Sequence, residues 1–450
     1  MEFFISLLRG IGGIILILGI AFLFSNNKKR INWKLVATGV AIQVLFAIFI
    51  IHSETLRSWF FPLGWPKDAI NWLGTAIVSL LGFTMKGAEF VFGKLAINNG
   101  PDSLGFYFAF QVLPTIIFVS ALTSLLYYLG ILQLVVKGMA WVMAKLLGTS
   151  GAESLSNTAN IFVGQTEAPL LIRPYIEKMT NSEILTIMIG GMATIAGGVM
   201  ASYIQMLGQT FAEVYKISIQ DAQVKFAIQL LAASCMAAPA SLVIAKILYP
   251  ETEEPVTRGT VKLKVEKNAS NVIEAAATGA GDGLHLALNV AGMLLAFIAL
   301  IAMFNYIFTS LGDVIGINNY LRAQFGQPLS MQLIFGIILR YLAVGIGVPW
   351  NDAFHFGSLI GTKVVLNEFV AYLDLTTIIK AGGMSAKGMM MATYALCGFA
   401  NFSSIAIQIG GISPLAPSRK KDIAALGLKA VLGGTLATLM TATLAGILVQ

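Results

Sequence analysis

The sequence predicts an all-α polytopic membrane protein with eight transmembrane helices, two re-entrant helical hairpins in an inverted repeat, and one interfacial helix. Three observations lead to this fold class. Of the 450 residues, 57% are hydrophobic and only 11% are charged. Ordinary soluble domains carry about a quarter charged residues, so a soluble fold is excluded. Long apolar stretches also recur along the chain, and several of them are interrupted by polar residues near their middles.

Eight apolar stretches have the length of a membrane span, which needs about 20 residues. They cover residues 3–24, 35–51, 106–129, 184–206, 222–248, 286–308, 389–412 and 423–449. Between the second and third of these, residues 69–95 are apolar on one side and carry Lys86, Glu89 and Lys94. This pattern predicts an amphipathic helix in the membrane interface. A spanning helix is the alternative, and it would reverse the predicted side of every later loop.

Basic residues between the spans predict the orientation of the chain. They are Lys28, Lys29, Arg30 and Lys34 after the first span, Arg258, Lys262, Lys264 and Lys267 after the fifth, and Arg419, Lys420 and Lys421 after the seventh. Because basic loops favour the cytoplasmic side, both termini are predicted to be extracytoplasmic in a cell (inner) membrane. The net charge of +7 is carried by these short loops. It therefore does not indicate a nucleic-acid partner.

The first polar interruption is Gly164-Gln165-Thr166-Glu167, with Pro169 close behind. Gly164 loosens the helix, Thr166 can cap a new one, and Pro169 suits its first turn. We interpret residues 161–172 as re-entrant, with two half-helices meeting at a polar tip. An ionisable residue at membrane depth marks a functional site. A surface loop between two ordinary helices is the alternative interpretation.

A second interruption, within the re-entrant stretch 343–373, carries Glu368 at the place that matches Glu167. A span rich in small and polar residues follows each tip, from Gly190 in the first half and from Cys397 in the second. The third and sixth spans start on opposite sides, so the repeats are inverted. Inverted repeats with interrupted helices are typical of secondary transporters, and the interruptions mark the binding site. Close helix packing alone would also explain the small residues.

The repeat divides the chain into four regions. Residues 1–105 hold two spans and the interfacial helix, and residues 106–249 form the first repeat. Residues 250–285 form a charged cytoplasmic connector with an amphipathic segment, and residues 286–450 form the second repeat.

Four motifs in order resemble the concentrative nucleoside transporter family. They are Gly-Gln-Thr-Glu-Ala-Pro-Leu from Gly164, Met-Ala-Thr-Ile-Ala-Gly-Gly-Val from Met192, Asn-Glu-Phe-Val-Ala-Tyr from Asn367, and Gly-Phe-Ala-Asn-Phe-Ser-Ser-Ile from Gly398. The resemblance covers nearly the whole chain. It implies a homotrimer in the lipid membrane, in which a scaffold holds the trimer and a transport domain carries the site.

The resemblance also implies the roles of individual residues. Gln165, Thr166, Glu167, Val199 and Phe399 would hold the nucleobase, and Glu368, Asn401 and Ser404 would hold the ribose. A co-transported sodium ion would be bound by the carbonyls of Asn160, Val163 and Ile195 and the hydroxyl of Thr194. No organic cofactor is implied. Gly164-Gln165 resembles broadly selective members and Thr194 resembles the purine type, so the base preference stays open.

The chemistry of these residue types agrees with those roles. A carboxylate accepts hydrogen bonds from two hydroxyls, an amide suits the mixed edge of a base, and a hard cation prefers oxygen ligands. Proton coupling is the alternative to sodium. Two other classes are alternatives: a channel, and a membrane enzyme using Glu167 and Glu368 as an acid/base pair. We expect no enzyme, because the three histidines lack metal-ligand spacing and no nucleophile motif is present.

Overall fold

The computed structural model describes residues 2–51, 57–58, 64–97, 103–259 and 269–448. Regular structure in these ranges is helical, apart from an isolated antiparallel bridge between Ser150 and Arg258. This confirms the predicted all-α fold. The α-helices are Glu2–Leu23, Trp33–Ile51, Trp65–Phe92, Phe108–Gln111, Leu113–Tyr128, Ile131–Leu147, Gly151–Ala159, Arg173–Ile176, Asn181–Ala193, Gly197–Tyr215, Ile219–Leu248, Val272–Ile315, Asn318–Phe325, Met331–Gly345, Trp350–Val365, Glu368–Lys380, Ala386–Leu396, Phe402–Ile412 and Lys420–Leu448.

The two spans rich in small and polar residues that follow the tips are each broken into two helices. The first interrupted helix, Asn181–Tyr215, breaks between Ala193 and Gly197. The second, residues 386–412, breaks between Leu396 and Phe402. The predicted spans at residues 3–24, 35–51, 222–248 and 423–449 are single helices whose described ends lie within about one turn of the prediction.

The sixth predicted span is far longer than the sequence indicated. The helix Val272–Ile315 has 44 residues, so the predicted start at residue 286 is wrong. Its early turns pack against Leu113–Tyr128 through a Gly-x-x-x-Gly pair. A Cβ at Gly279 would lie 2.5 Å from Ser124 Cβ, and one at Gly283 would lie 2.8 Å from Ile117 Cα. Only glycine permits backbones this close.

These two helices run antiparallel, which supports the predicted inversion of the repeats. Ser124 Oγ, near the end of Leu113–Tyr128, donates to the carbonyl of Ala275, near the start of Val272–Ile315, at 2.8 Å. Tyr128 Oη donates to the carbonyl of Ser270 at 3.3 Å. We call this helix pair the frame.

The buried centre of the molecule is formed by a different set of helices, which we call the core helices. They are four in number: the two interrupted helices, the helix Ile219–Leu248, and the helix Lys420–Leu448. In the most apolar part of Ile219–Leu248, 83% of the residues are buried, whereas the figure for Val272–Ile315 is 17%. The frame therefore exposes most of its apolar surface, and the core helices expose little.

Both predicted tips are helix-turn-helix hairpins. In the first hairpin, Gly151–Ala159 is followed by a turn and the short 3-10 helix Ala168–Ile172. In the second hairpin, Trp350–Val365 and Glu368–Lys380 are joined through Leu366 and Asn367. A separate helix that sequence analysis missed precedes each hairpin: Ile131–Leu147 precedes the first, and Met331–Gly345 precedes the second. Re-entry of the hairpins into a bilayer stays a prediction.

Residues 69–92 lie in the helix Trp65–Phe92, and residues 93–95 lie in the 3-10 helix Gly93–Ala96 that follows it; together they are long and apolar enough to cross a membrane. Gly74 packs beside Ile228, early in Ile219–Leu248. The carbonyl of Leu95 accepts from Gln111 Nε2 at 3.1 Å. The helix is present as predicted, and its position in the membrane interface stays a prediction.

The described ends of the three predicted basic loops lie on one face of the molecule, while Lys262, Lys264 and Lys267 lie outside the described residues. Asn26 N donates to the carbonyl of Leu248 at 3.0 Å, and Lys429 bonds to Asn26. Arg419 Nη2 donates to Asn181 Oδ1 at 2.8 Å. A common side for these loops is what the predicted topology requires.

A buried ion cluster at that face joins the first hairpin to the core helices. Ser150 and Thr180 each cap a helix through a capping box with Glu153 and Glu183. Lys246 Nζ lies 2.7 Å from Glu153 Oε2, and both side chains are nearly inaccessible to solvent. Pairing makes this burial of charge tolerable.

Part of the predicted solvated connector is also fixed to the first hairpin. Gly151 N donates to the carbonyl of Thr257 at 2.9 Å, and Ala152 N donates to Thr257 Oγ1 at 3.1 Å. Thr257 thus satisfies two free amides at a helix start. The connector is bound to the core side of the molecule at least as far as this residue.

Candidate functional site

One cavity lies where the two hairpin tips meet the breaks of the two interrupted helices. Its volume is about 140 Å³. All eight residues predicted to bind substrate line it. They are Gln165, Thr166, Glu167, Val199, Glu368, Phe399, Asn401 and Ser404. Residues far apart in sequence therefore converge on one space.

The first tip is closed by its own backbone. The amide of Gly164 donates to the Glu167 carboxylate. A Cβ at Gly164 would lie 2.3 Å from Glu167 Oε2, so a larger residue here would displace the Glu167 carboxylate from its present place. The predicted cap at Thr166 is wrong, because Glu167 occupies the N-cap position and makes no side-chain cap bond. Pro169 lies in the first turn, as predicted.

Gln165 connects the first tip to the second interrupted helix. Its Nε2 donates to Ser404 Oγ at 3.3 Å, and its Oε1 accepts from Gln408 Nε2 at 3.0 Å. Gln408 also donates to the carbonyl of Met188 at 2.9 Å. Sequence analysis missed Gln408, although an amide one helical turn after Ser404 was a usable signal.

The second tip carries a shared carboxylate. Glu368 Oε1 accepts from Tyr203 Oη at 2.8 Å, and Oε2 accepts from Asn401 Nδ2 at 3.0 Å. Asn401 Oδ1 also caps the helix Phe402–Ile412 by accepting from Ser404 N at 2.8 Å. A carboxylate offers about four acceptor positions, so Glu368 keeps acceptor capacity beyond these two side-chain donors.

Tyr203 is the second residue that sequence analysis missed. It lies one turn after Val199 on the first interrupted helix and is fully buried. The carboxylate at the second tip thus draws its donors from both interrupted helices.

The remaining walls of the cavity are apolar. Val199 and Phe399 lie on the side of the interrupted helices. The opposite wall is the frame helix Val272–Ile315, through Leu286, Val290 and Met293. Sequence analysis did not assign this wall. The cavity therefore lies between the core helices and the frame.

The predicted cation ligands meet beside the first tip. Asn160 is the C-cap of Gly151–Ala159, and Thr194 and Ile195 lie in the break of the first interrupted helix. Gly197 N donates to the carbonyl of Phe162 at 3.3 Å, which joins the tip to that break. Two helix C-termini meet here, and their partial negative charge favours a cation.

Several oxygens near these residues are buried without a hydrogen-bond donor in the described chain. They include Asn160 Oδ1, Ser156 Oγ and Thr158 Oγ1. Thr194 Oγ1 donates to the carbonyl of Gly190 at 2.9 Å, which leaves its lone pairs free. Buried unpaired oxygens are costly, and a hard cation would satisfy them.

A second, larger cavity adjoins the first and shares Gly164, Glu167, Ala196 and Leu286 with it. It lies between the first hairpin and the frame. Asp282 of the frame lines it and interacts electrostatically with Glu167. Sequence analysis did not single out Asp282. Glu167 therefore faces both spaces.

Three family profiles match the chain. "Na+ dependent nucleoside transporter N-terminus" matches residues 12–95, "Nucleoside recognition" matches residues 109–210, and "Na+ dependent nucleoside transporter C-terminus" matches residues 229–446. An uncharacterized transporter of Haemophilus influenzae is 44% identical over 99% of this chain and 98% of its own length. Sodium/nucleoside cotransporter 1 of Rattus norvegicus is 39% identical over 97% of this chain and 63% of its own length.

Solved structures agree with these matches. CNTnw in an inward-facing substrate-bound state is similar at a TM-score of 0.84, with 40% identity and 98% of each chain covered. A variant of the same protein in an outward-facing state gives a TM-score of 0.82, with 40% identity over 98% of this chain and 97% of that one.

Proposed function

Because the chain belongs to the concentrative, Na+-dependent nucleoside transporter family, we propose that it is a secondary active symporter that imports nucleosides with the sodium gradient. The family is one of transporters and not of enzymes. The single observation that carries the proposal is the cavity between the two tips, where donors, acceptors and an aromatic ring from four separate elements converge.

The cavity divides into two ends that suit the two parts of a nucleoside. Gln165, Thr166 and Glu167, with Val199 and Phe399, would hold the base, since an amide and a hydroxyl can match its mixed edge. Glu368, Asn401 and Ser404 would hold the ribose. The free acceptor positions of Glu368 support this assignment, because ribose hydroxyls are donors.

Sodium would bind with the carbonyls of Asn160, Val163 and Ile195 and the Thr194 hydroxyl. The ion is cargo in this scheme. Buried oxygens without a donor near the C-terminus of Gly151–Ala159, beside the helix end at Ala193, support the assignment. Since the first tip contributes both to this cluster and to the cavity, ion binding would order the tip for the nucleoside. That arrangement would couple the two cargoes.

Transport would proceed by alternating access, in which the core helices and hairpins move against the frame. The cavity is bounded by the frame on one side, which supports such a division. The exposed apolar surface of Val272–Ile315 suits a homotrimer interface and membrane lipid. With the basic loops in the cytoplasm, both termini would lie outside the cell membrane.

Uptake into sealed vesicles tests the proposal. Purified protein in liposomes should accumulate labelled uridine or adenosine unchanged and against its gradient when sodium is imposed from outside. Full accumulation with a proton gradient and no sodium would replace sodium coupling with proton coupling. Equilibration without accumulation would instead indicate a channel.

Cysteine labelling tests the moving and fixed parts. Leu170 lies in the first hairpin, is exposed and lines the larger cavity, whereas Phe118 lies in the frame. Labelling of Leu170→Cys should change when sodium and nucleoside are added, while labelling of Phe118→Cys should stay constant. Equal changes at the two positions would contradict a fixed frame.

A further inference from the structure

Lys363 is a fully buried lysine in the second hairpin, five residues before Glu368. Among the residues that the structure describes, no carboxylate forms a salt bridge with it. A buried cation without a partner is strongly unfavourable. The surroundings of Lys363 must therefore compensate for its charge in another way.

The Lys363 ammonium lies at the meeting point of two helix C-termini. Its Nζ donates to the carbonyl of Ala395 at 2.8 Å and to Thr438 Oγ1 at 3.1 Å. Ala395 is in the last turn of Ala386–Leu396, and Lys363 is in the last turn of Trp350–Val365. The negative end of the helix Ala386–Leu396 thus faces the ammonium.

Lys363 also completes the hydrogen bonding of a broken helix. The last four carbonyls of Ala386–Leu396 would be free at an ordinary helix end. Here each of them accepts one hydrogen bond. The donors, in the order of those carbonyls, are Tyr372 Oη, Cys397 N, Lys363 Nζ and Gly398 N.

The matching place in the first half of the chain has no cation of its own. Phe162 stands five residues before Glu167, where Lys363 stands before Glu368. Two helix C-termini, at Ala159 and Ala193, meet there as well. In contrast with the second half, the carbonyls of Met192 and Ala193 receive no hydrogen bond from the described residues.

We propose that Lys363 is a built-in cation, whose ammonium takes in the second repeat the place that the sodium ion takes in the first. From this place it balances the charge of Glu368, with which it interacts electrostatically. Lys363 is thus a positioning residue that keeps the Glu368 carboxylate ready for the ribose. This inference rests on the proposed function for the identity of the two cargoes.

The first test needs no nucleoside. Thermal unfolding of the purified full chain is compared for Lys363→Met in the native background and in a Glu368→Gln background. We expect Lys363→Met to lower the unfolding midpoint by several degrees, and by less than half as much when Glu368 is already neutral. Removing one of two buried charges of opposite sign destabilises the fold most when the other charge remains. Equal losses in both backgrounds would show a packing role and overturn the proposal.

Lys363→Gln keeps a donor for the Ala395 carbonyl and removes only the charge. It should behave like Lys363→Met in this cycle, and native behaviour would overturn the charge role. The matched control is Lys421→Met, at an exposed lysine in the first turn of the last helix. Should the variants fold only with Glu368→Gln, that rescue supports the proposal, whereas failure in both backgrounds counts against it.

The second test uses the cargoes. Calorimetry with uridine or adenosine should show about tenfold weaker binding to Lys363→Gln than to the native chain. When Glu368→Gln is already present, adding Lys363→Gln should weaken binding by less than a further twofold. Sodium alone should still raise the unfolding midpoint of Lys363→Gln as it does for the native chain. Loss of that sodium effect would contradict the proposal that the ammonium and the sodium ion occupy two different places, one in each repeat. If the native chain binds no nucleoside, the proposed function fails, while the thermal cycle still decides the role of Lys363.

Discussion

The two hairpin tips carry the same residue at matching places and use it differently. At the first tip, the Glu167 carboxylate accepts from the Gly164 amide of its own turn. At the second tip, the Glu368 carboxylate accepts from Tyr203 and Asn401, which belong to two other elements. The repeat thus supplies two carboxylates. One shapes its own turn, and the other joins three elements around the cavity.

This difference implies unequal tolerance of substitution. A turn that bonds to itself needs only an acceptor of the right size. A carboxylate shared between helices needs both of its oxygens as acceptors. Four substitutions, taken from the largest expected effect to the smallest, test this contrast.

Glu368→Gln should have the largest effect. The new amide group would point a donor at Tyr203 Oη or Asn401 Nδ2, both of which donate to the native carboxylate. Loss of a charged acceptor costs about 1.5 to 3 kcal/mol, which corresponds to more than about tenfold weaker nucleoside binding by calorimetry. Deoxynucleosides should lose less than ribonucleosides. The control is Glu213→Gln, at an exposed glutamate; native affinity in Glu368→Gln would remove Glu368 from the site.

Gly164→Ala should disturb the first tip by a steric route. The added Cβ would lie 2.3 Å from Glu167 Oε2, so the carboxylate would have to move away from the Gly164 amide. Overpacking of this kind costs about 1 to 3 kcal/mol, seen as a lower unfolding midpoint and slower uptake. Gly138→Ala is the matched control, since no atom lies within 4 Å of its new Cβ. If both variants behave alike, the tight turn at Gly164 is unimportant.

Thr194→Val should weaken sodium binding several-fold without removing nucleoside binding at saturating sodium. The substitution deletes one hydroxyl oxygen near the first tip and retains the shape of the side chain. Sodium activation of uptake measures the effect. Thr186→Val is the control, because Thr186 is equally buried on the same helix and bonds its own backbone in the same way. An unchanged sodium requirement would move the cation site elsewhere.

Glu167→Gln should have the smallest effect of the four. Glutamine retains an oxygen that can accept from the Gly164 amide, so we expect nucleoside binding to weaken by less than about threefold. The same calorimetry as for Glu368→Gln provides the measurement. A loss as large as that of Glu368→Gln would erase the contrast between the two tips.

Sequence reasoning found the breaks and tips because Gly, Pro and ionisable residues interrupt apolar runs in ways that a spanning helix does not tolerate. The roles of Gln165 and Glu368 came with the family resemblance. Tyr203 and Gln408 were missed because the sequence of an apolar helix does not indicate which distant residue a polar side chain will bind. Their partners here, Glu368 and Gln165, belong to other elements. The early turns of Val272–Ile315 were missed because Gly279, Asp282 and Gly283 lower the hydropathy. Their packing against the neighbouring helix explains why they are helical.

Thr257 has a mechanical consequence for the whole molecule. It binds the connector to the first hairpin, while Ser270 bonds to Tyr128 of the frame. Twelve residues lie between these two anchor points, so the backbone makes thirteen residue-to-residue steps, and a fully extended chain covers at most about 3.6 Å per step. The contour length of this tether is therefore about 45 Å. While both hydrogen-bonded anchor points hold, this contour length is an upper limit on the distance between the base of the first hairpin and the end of the frame.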